Sequence, residues 1–237
     1  LGNSLSLGGA PNEFNILDTS PELWWKFNTG QSTADQDADG DADVLWTDQA
    51  GNYNGVGGNT GSSIVDAKEG SFSSGAWLSA DDSDFLRIGD ESLRLTEDYT
   101  VFIVFTNHNA DDTILGGDAT DFIRFGFTNN ASKIRFKHSG VATDFTFDID
   151  PSTGKNLYTI TRNGSDEMKI SQNSTTALLN ATAVNAGAFL AKRGPFGTKG
   201  IGDGSLYELV IYNRAFLDSE RDLIEADILT RNSLTAD

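Results

Sequence analysis

The sequence predicts an all-β protein, a two-sheet antiparallel β-sandwich with one short helix near the C-terminal end. Three observations predict it. Short apolar and aromatic stretches recur along the chain, separated by Gly, Asn, Asp and Pro at spacings of roughly 10–15 residues. Several of these stretches alternate polar with apolar residues, the pattern of a half-buried strand. One segment alone, close to the C-terminus, carries a convincing helical period.

The strands follow in order. Leu23-Trp24-Trp25-Lys26-Phe27 is an aromatic run bounded by Pro21 and Gly30. Asp84-Phe85-Leu86-Arg87-Ile88 alternates. Residues 99–106 (YTVFIVFT) are β-branched and aromatic almost throughout, as in a central strand buried on both faces. Residues 122–127 and 133–137 flank the turn-forming Asn129-Asn130-Ala131-Ser132 and read as a hairpin. Residues 144–150 alternate strictly and stop at Pro151. Residues 156–162 and 168–171 flank Asn163-Gly164-Ser165-Asp166, a second hairpin. Residues 205–212 (SLYELVIY) form the last strong strand. After it, Asp218 or Ser219 caps a helix whose Leu223, Ile224, Ile228 and Leu229 share a face and pack on the sandwich. Residues 1–20 read as an N-terminal arm or edge strand, since Leu5 and Leu7 alternate with Ser. Residues 21–237 read as one domain, with the Gly- and Ser-rich stretch from Gly51 to Gly75 as loops inside it.

Composition bounds the function. The 237 residues are 38% hydrophobic, and fifteen Phe with four Trp supply the area a core needs. The formal net charge of −18 disfavours nucleic acid and anionic membrane surfaces. It suits divalent cations, or solubility alone. No Cys is present, so disulfides, thiolate metal sites and Cys nucleophiles are excluded. No run approaches the ~18 apolar residues of a membrane span.

Residues 206–215 (LYELVIYNRA), continuing through Leu217-Asp218-Ser219-Glu220-Arg221 to Ile224-Glu225, resemble the closing strand and terminal helix of laminin G-like, concanavalin A-like jelly-roll domains. Residues 45–55 (LWTDQAGNYNG) are similar to that family's Trp-Asp-Gly-Asn loop, and 157–164 (LYTITRNG) to one of its hairpins. The resemblance implies two stacked antiparallel sheets. It implies no single function, because the fold hosts lectins, adhesion modules, glycanases and virion parts.

The densest chemical signal is Asp35, Asp37, Asp39, Asp41 and Asp43 around Gly40. Alternating carboxylates with a central Gly match the first half of a Ca²⁺ loop. The second half departs, because Trp46 stands where the closing Glu belongs. Ca²⁺ and a solvated acidic loop are both open readings. Further acids at Asp81, Asp82, Asp84, Asp90 and Glu91, and at Asp111, Asp112, Asp118 and Asp121, read as exposed loops.

Catalysis finds little support. The glucan-hydrolase members of the fold carry E-x-D-x-x-E on a strand, and Glu225-Ala226-Asp227 comes nearest, but Thr230 takes the last place on a helix. His108 and His138 are too few for a three-His zinc site, and no G-x-S-x-G elbow occurs. For sugar binding the candidates are Asp48, Asn52, Tyr53 and Asn54, with Trp24, Trp25, Trp46 and Trp77 as platforms or core. Two readings follow. The first is a non-catalytic structural or attachment module of a virion or cell surface, partnered by other structural subunits and able to form a homo-oligomer. The second is a secreted, Ca²⁺-dependent carbohydrate-binding module partnered by surface glycans. Both place the chain outside the cell or on a virion surface.

Overall fold

The computed structural model describes residues 14–33, 44–59, 71–78, 84–88, 93–96, 98–106, 112–116, 121–125, 133–138, 141–146, 154–163, 168–173, 179–181, 188–191 and 205–235. Its strands are β1 (Leu23–Trp25), β2 (Gln31–Ser32), β3 (Leu45–Trp46), β4 (Gly55–Asn59), β5 (Ser71–Ser73), β6 (Ala76–Leu78), β7 (Asp84–Ile88), β8 (Leu93–Leu95) and β9 (Tyr99–Thr106). They continue with β10 (Asp112–Gly116), β11 (Phe122–Phe125), β12 (Lys133–His138), β13 (Val141–Thr146), β14 (Lys155–Arg162), β15 (Met168–Gln172), β16 (Leu179–Ala181), β17 (Phe189–Ala191) and β18 (Ser205–Tyr212). A 3-10 turn, Ile16–Thr19, precedes them and one helix, α1 (Asp218–Arg231), follows. The protein is an antiparallel β-sandwich with a short C-terminal helix.

The main sheet runs β16-β15-β14-β9-β18-β6-β5, with β1 also pairing β18. Opposite it lie two four-stranded sheets, β10-β11-β12-β13 and β2-β3-β4-β7, and the pair β17-β8. Strand β9 is hydrogen-bonded along its length to β14 on one side and β18 on the other. All eight of its residues are buried. The continuous apolar run therefore has its expected cause: both faces are covered.

Alternate residues of β9 feed two different cores. Val101, Ile103 and Phe105 join Leu23, Trp25, Trp46, Tyr158, Ile160, Leu209 and Ile211 between the sheets. Phe102 and Val104 join Trp24, Leu157, Val210 and Tyr212 on the outer face, where Ile16, Phe216, Ile224, Ile228 and Leu229 cover them. An uncovered outer face would expose a contiguous aromatic patch. The helix and the N-terminal turn remove it, and Thr19 is tied to the Tyr212 hydroxyl at 2.7 Å.

A register shift in β18 between Leu206 and Glu208 sets what faces that outer layer. Leu206 points to the inner core, and so do Leu209 and Ile211, which strict alternation from 206 forbids. The bulge therefore turns Glu208, with Val210 and Tyr212, toward the helix.

Several expectations need correction. The stretch Gly51–Gly75 is not all loop, since it contains β4 and β5. The strand expected at 144–150 begins earlier, at Val141, and 147–150 lie outside the described residues. Leu217 occupies the helix N-cap, and the Glu220 side chain accepts a hydrogen bond from its backbone N–H at 3.2 Å, so neither Asp218 nor Ser219 is the cap. Leu223 faces solvent at 60% exposure. The buried helix positions are Arg221, Ile224, Glu225, Ile228 and Leu229. Polar residues enter this face because the sheet beneath is polar there: Thr159, Thr161 and Ser171 are buried on β14 and β15.

Glu225 is fully buried, with Ser171 donating to it at 3.2 Å and the Arg221 guanidinium forming an ion pair with it at 3.6 Å. Burial is the main reason its pKa is raised to about 7, against the opposing pull of Arg221 and nearby hydroxyls. A folded-state pKa above the unfolded value means stability is present at low pH and lost as pH rises from about 4.5 through about 7. Glu225→Gln removes the ionisable group and keeps the hydrogen-bonding shape. Urea unfolding at pH 5 and pH 8 is expected to show that the variant gains about 2–3 kcal/mol relative to wild type at the higher pH. An unchanged difference between the two pH values would contradict this assignment.

Candidate functional site

The sequence-predicted groups stand on either side of β3 along the chain. Strands β2 and β3 pair Gln31 with Trp46 and Ser32 with Leu45. The segment carrying Asp35, Asp37, Asp39, Asp41 and Asp43 connects them at the closed end, and these five residues lie outside the described residues. Residues 47–54 leave from the other end, where the Thr47 N–H meets Gly30 O at 2.8 Å. The acidic run and the Asn52–Asn54 segment therefore attach at opposite ends of β3. Among the described residues no group of three or more His, Asp or Glu is gathered as for a metal ion.

The 47–54 loop is organised around Asp48, a buried carboxylate at 3% exposure. Its Oδ1 accepts the backbone N–H groups of Trp24 at 2.7 Å and Ala50 at 2.9 Å. Its Oδ2 accepts those of Asn52 and Tyr53, both at 2.8 Å. Both oxygens are thus occupied by the chain itself, and the Asp48 N–H donates to Asn54 Oδ1 at 3.0 Å. This arrangement makes Asp48 and Asn54 shape the loop. Asn52 lies exposed, its amide donating to Glu22 O at 3.1 Å. The Tyr53 carbonyl accepts the Trp25 indole N–H at 2.8 Å, and its ring packs on the inner core. Gly55 follows, where a Cβ would sit 3.0 Å from the Trp25 ring. Only a residue without a side chain lets β4 lie this close. Trp25 and Trp46 stack with centroids 6.0 Å apart, fully buried. They are core, not sugar platforms, and the Trp77 side chain lies outside the described residues.

A second site, not singled out by the sequence, opens on the outer layer. A cavity of about 470 Å³ lies between the N-terminal turn, β1 and α1, lined by Phe14, Asn15, Ile16, Trp24, Lys26, Asp227 and Arg231. Two of its lining residues, Trp24 and Arg231, join a network centred on Glu208, buried at 1% exposure. The Trp24 indole N–H donates to Glu208 Oε1 at 2.7 Å. Arg231 donates from Nε and, at 2.8 Å, from Nη2. The Asn232 amide donates to Oε2 at 2.7 Å. Arg231 Nη1 also binds Asp227 at 2.6 Å. These two carboxylates hold the Arg231 pKa above its ordinary value although burial works against it.

Cations gather here. The Arg231 guanidinium lies 5.4 Å and Lys26 Nζ 5.0 Å from the Trp24 ring centre. Lys155 donates to Asn232 O and sits over the rings of Tyr207 and Phe27. Burial lowers its pKa. The strand motif that places Trp24, Lys26 and Glu208 was visible in the sequence. What it could not show was the bulge that turns Glu208 outward.

No family model matches this chain, and no curated protein matches it. Solved structures do, and they share its β-sandwich fold. The botulinum neurotoxin type C structure, a protein whose uptake into cells depends on interaction with two ganglioside molecules, superposes with TM-score 0.58 at 12% identity over 90% of this chain. The binding domain of botulinum neurotoxin DC, in complex with rat synaptotagmin II, gives TM-score 0.58 at 13% identity over 89%. A mutant Trypanosoma rangeli sialidase with trans-sialidase activity gives TM-score 0.52 at 11% identity over 92%. The chain spans about half of the toxin chains (52%) and 34% of the sialidase chain. At these identities the likeness establishes the fold alone. No described helix is long and apolar enough to cross a membrane.

Asp48→Ala leaves four backbone donors without their acceptor. The expected cost is about 2–4 kcal/mol of unfolding free energy. Asp48→Asn keeps one acceptor oxygen and costs less. Denaturant melts of the three proteins check the order wild type, Asn, Ala.

Proposed function

We propose that this chain is a non-catalytic attachment domain of an extracellular or virion surface, and that it recognises surface glycans. The observation that carries this reading is the open cavity of about 470 Å³ between the N-terminal turn, β1 and α1. Phe14 offers a partly exposed ring for the apolar face of a sugar, while Asn15, Lys26 and Asp227 offer polar groups for its hydroxyls. The fold likeness to a toxin binding domain and to a sialidase agrees with a glycan ligand, within the half or third of those chains that this one spans.

Two elements read from the sequence stay within the proposal. Asp35, Asp37, Asp39, Asp41 and Asp43 are proposed to hold Ca²⁺, and Asn52 and Tyr53 to offer a second contact surface beside Asp48 and Asn54. A laminin G-like kinship, including domains of that kind in bacteriophage structural proteins, is part of the same reading. A structural-subunit role has its own support in the exposure of Leu217 and Leu223, at 71% and 60%, on and beside the first turns of α1. Such residues suit contact with another subunit.

A glycan array probed with and without chelator is expected to show binding to a defined set of glycans. Loss of signal with chelator assigns the acidic run a part in recognition; retention assigns recognition to the cavity. A calorimetric titration without heat at millimolar Ca²⁺ removes the metal from the proposal. Light scattering that finds a symmetric oligomer favours the structural-subunit role.

A further inference from the structure

Building on the glycan reading, we infer that the cavity between the N-terminal turn, β1 and α1 takes an acidic sugar, whose carboxylate or sulfate is seated on Lys26. The chain carries a net charge of −18, so most of its surface repels such a ligand. This region carries a local excess of cations. The contiguous network around Trp24 and Tyr207 holds three cations, Lys26, Lys155 and Arg231, against two carboxylates, Glu208 and Asp227.

The three cations are not equivalent. Arg231 is committed, with Nε and Nη2 on Glu208 and Nη1 on Asp227. Lys155 is committed to the carbonyl of Asn232. Lys26 has no carboxylate partner among the described residues, and only the Trp24 ring steadies its ammonium group. It stands at the cavity wall, so an incoming anion meets a cation that no described carboxylate neutralises.

The other lining groups distinguish a sugar from a bare anion. Asp227 is held in place through Oδ2 by Arg231, and its Oδ1 accepts no hydrogen bond from a described residue. That oxygen suits a ligand hydroxyl. Phe14, 37% exposed at the rim, covers an apolar ring face. A cation, a fixed acceptor and an aromatic edge around one cavity match a charged, polyhydroxy ring better than phosphate alone.

The test uses the whole chain and paired probes: sialyllactose, glucuronate-terminated and 6-sulfated lactose against lactose itself, by calorimetry at low and high salt. Wild type is expected to bind at least one acidic probe in preference to lactose, and more weakly in high salt. Lys26→Met is expected to weaken that binding by about tenfold or more, the fold-change of one charge-assisted hydrogen bond, while Lys26→Arg retains it. Thermal melts of both variants check that folding is unaltered. Preference for carboxylate over sulfate, or the reverse, identifies which anion fits. Acidic and neutral probes bound alike, or Lys26→Met binding acidic probes as wild type does, overturns this inference and leaves the glycan reading standing. Failure of wild type to bind any glycan overturns both.

Discussion

Burying Glu208 under the helix takes a carboxylate out of water, and several neighbouring groups are placed to make that tolerable. A lone carboxylate in a dry layer loses several kcal/mol of hydration. Here the indole of Trp24, the guanidinium of Arg231 and the amide of Asn232 replace that water. Those donors come from β1 and from the end of α1, so the requirement of one side chain on β18 fixes the first strand and the helix together. The cavity between them inherits its shape from this arrangement. Its walls do not need a ligand to form them.

The same outer layer explains why the helix has two characters. Its apolar positions, Ile224, Ile228 and Leu229, seal Phe102, Val104 and Tyr212. Its buried polar positions, Arg221 and Glu225, interleave with them and meet buried hydroxyls of the sheet. The apolar positions supply burial energy. The polar ones limit which registers of helix on sheet are compatible, because a shifted helix strands a charge.

Much of the fold was legible in the residues. β7, β9 and β18 stand at 84–88, 99–106 and 205–212 as patterned, because dense β-branched and aromatic stretches leave little choice. The short strands β2 to β6 were harder. Gly-Val-Gly-Gly-Asn has no side-chain pattern to read, and its strand character comes from pairing with β7. The helix was found but rotated in its reading, since Leu223 looks like core and Arg221 does not. The site was less legible still. Asp48 announced itself as a loop acid, yet its two oxygens are filled by local N–H groups, a fact of backbone geometry alone. Glu208 sat unnoticed in an apolar run, where only a bulge in the strand reveals which way it points.

Strand β18 has a consequence for biosynthesis. It lies in the interior of the main sheet, between β9 on one edge and β1 and β6 on the other. Trp24 thus pairs with Val210, a partner made long after it. While the chain emerges, β9 keeps one edge unpaired and the aromatic outer layer has no lid. Loop closure over such distances is slow, and an open edge invites strands from neighbouring chains. A ribosome that stalls shortly before residue 205 therefore leaves a sticky half-sandwich, while some thirty further residues turn it into a sealed one.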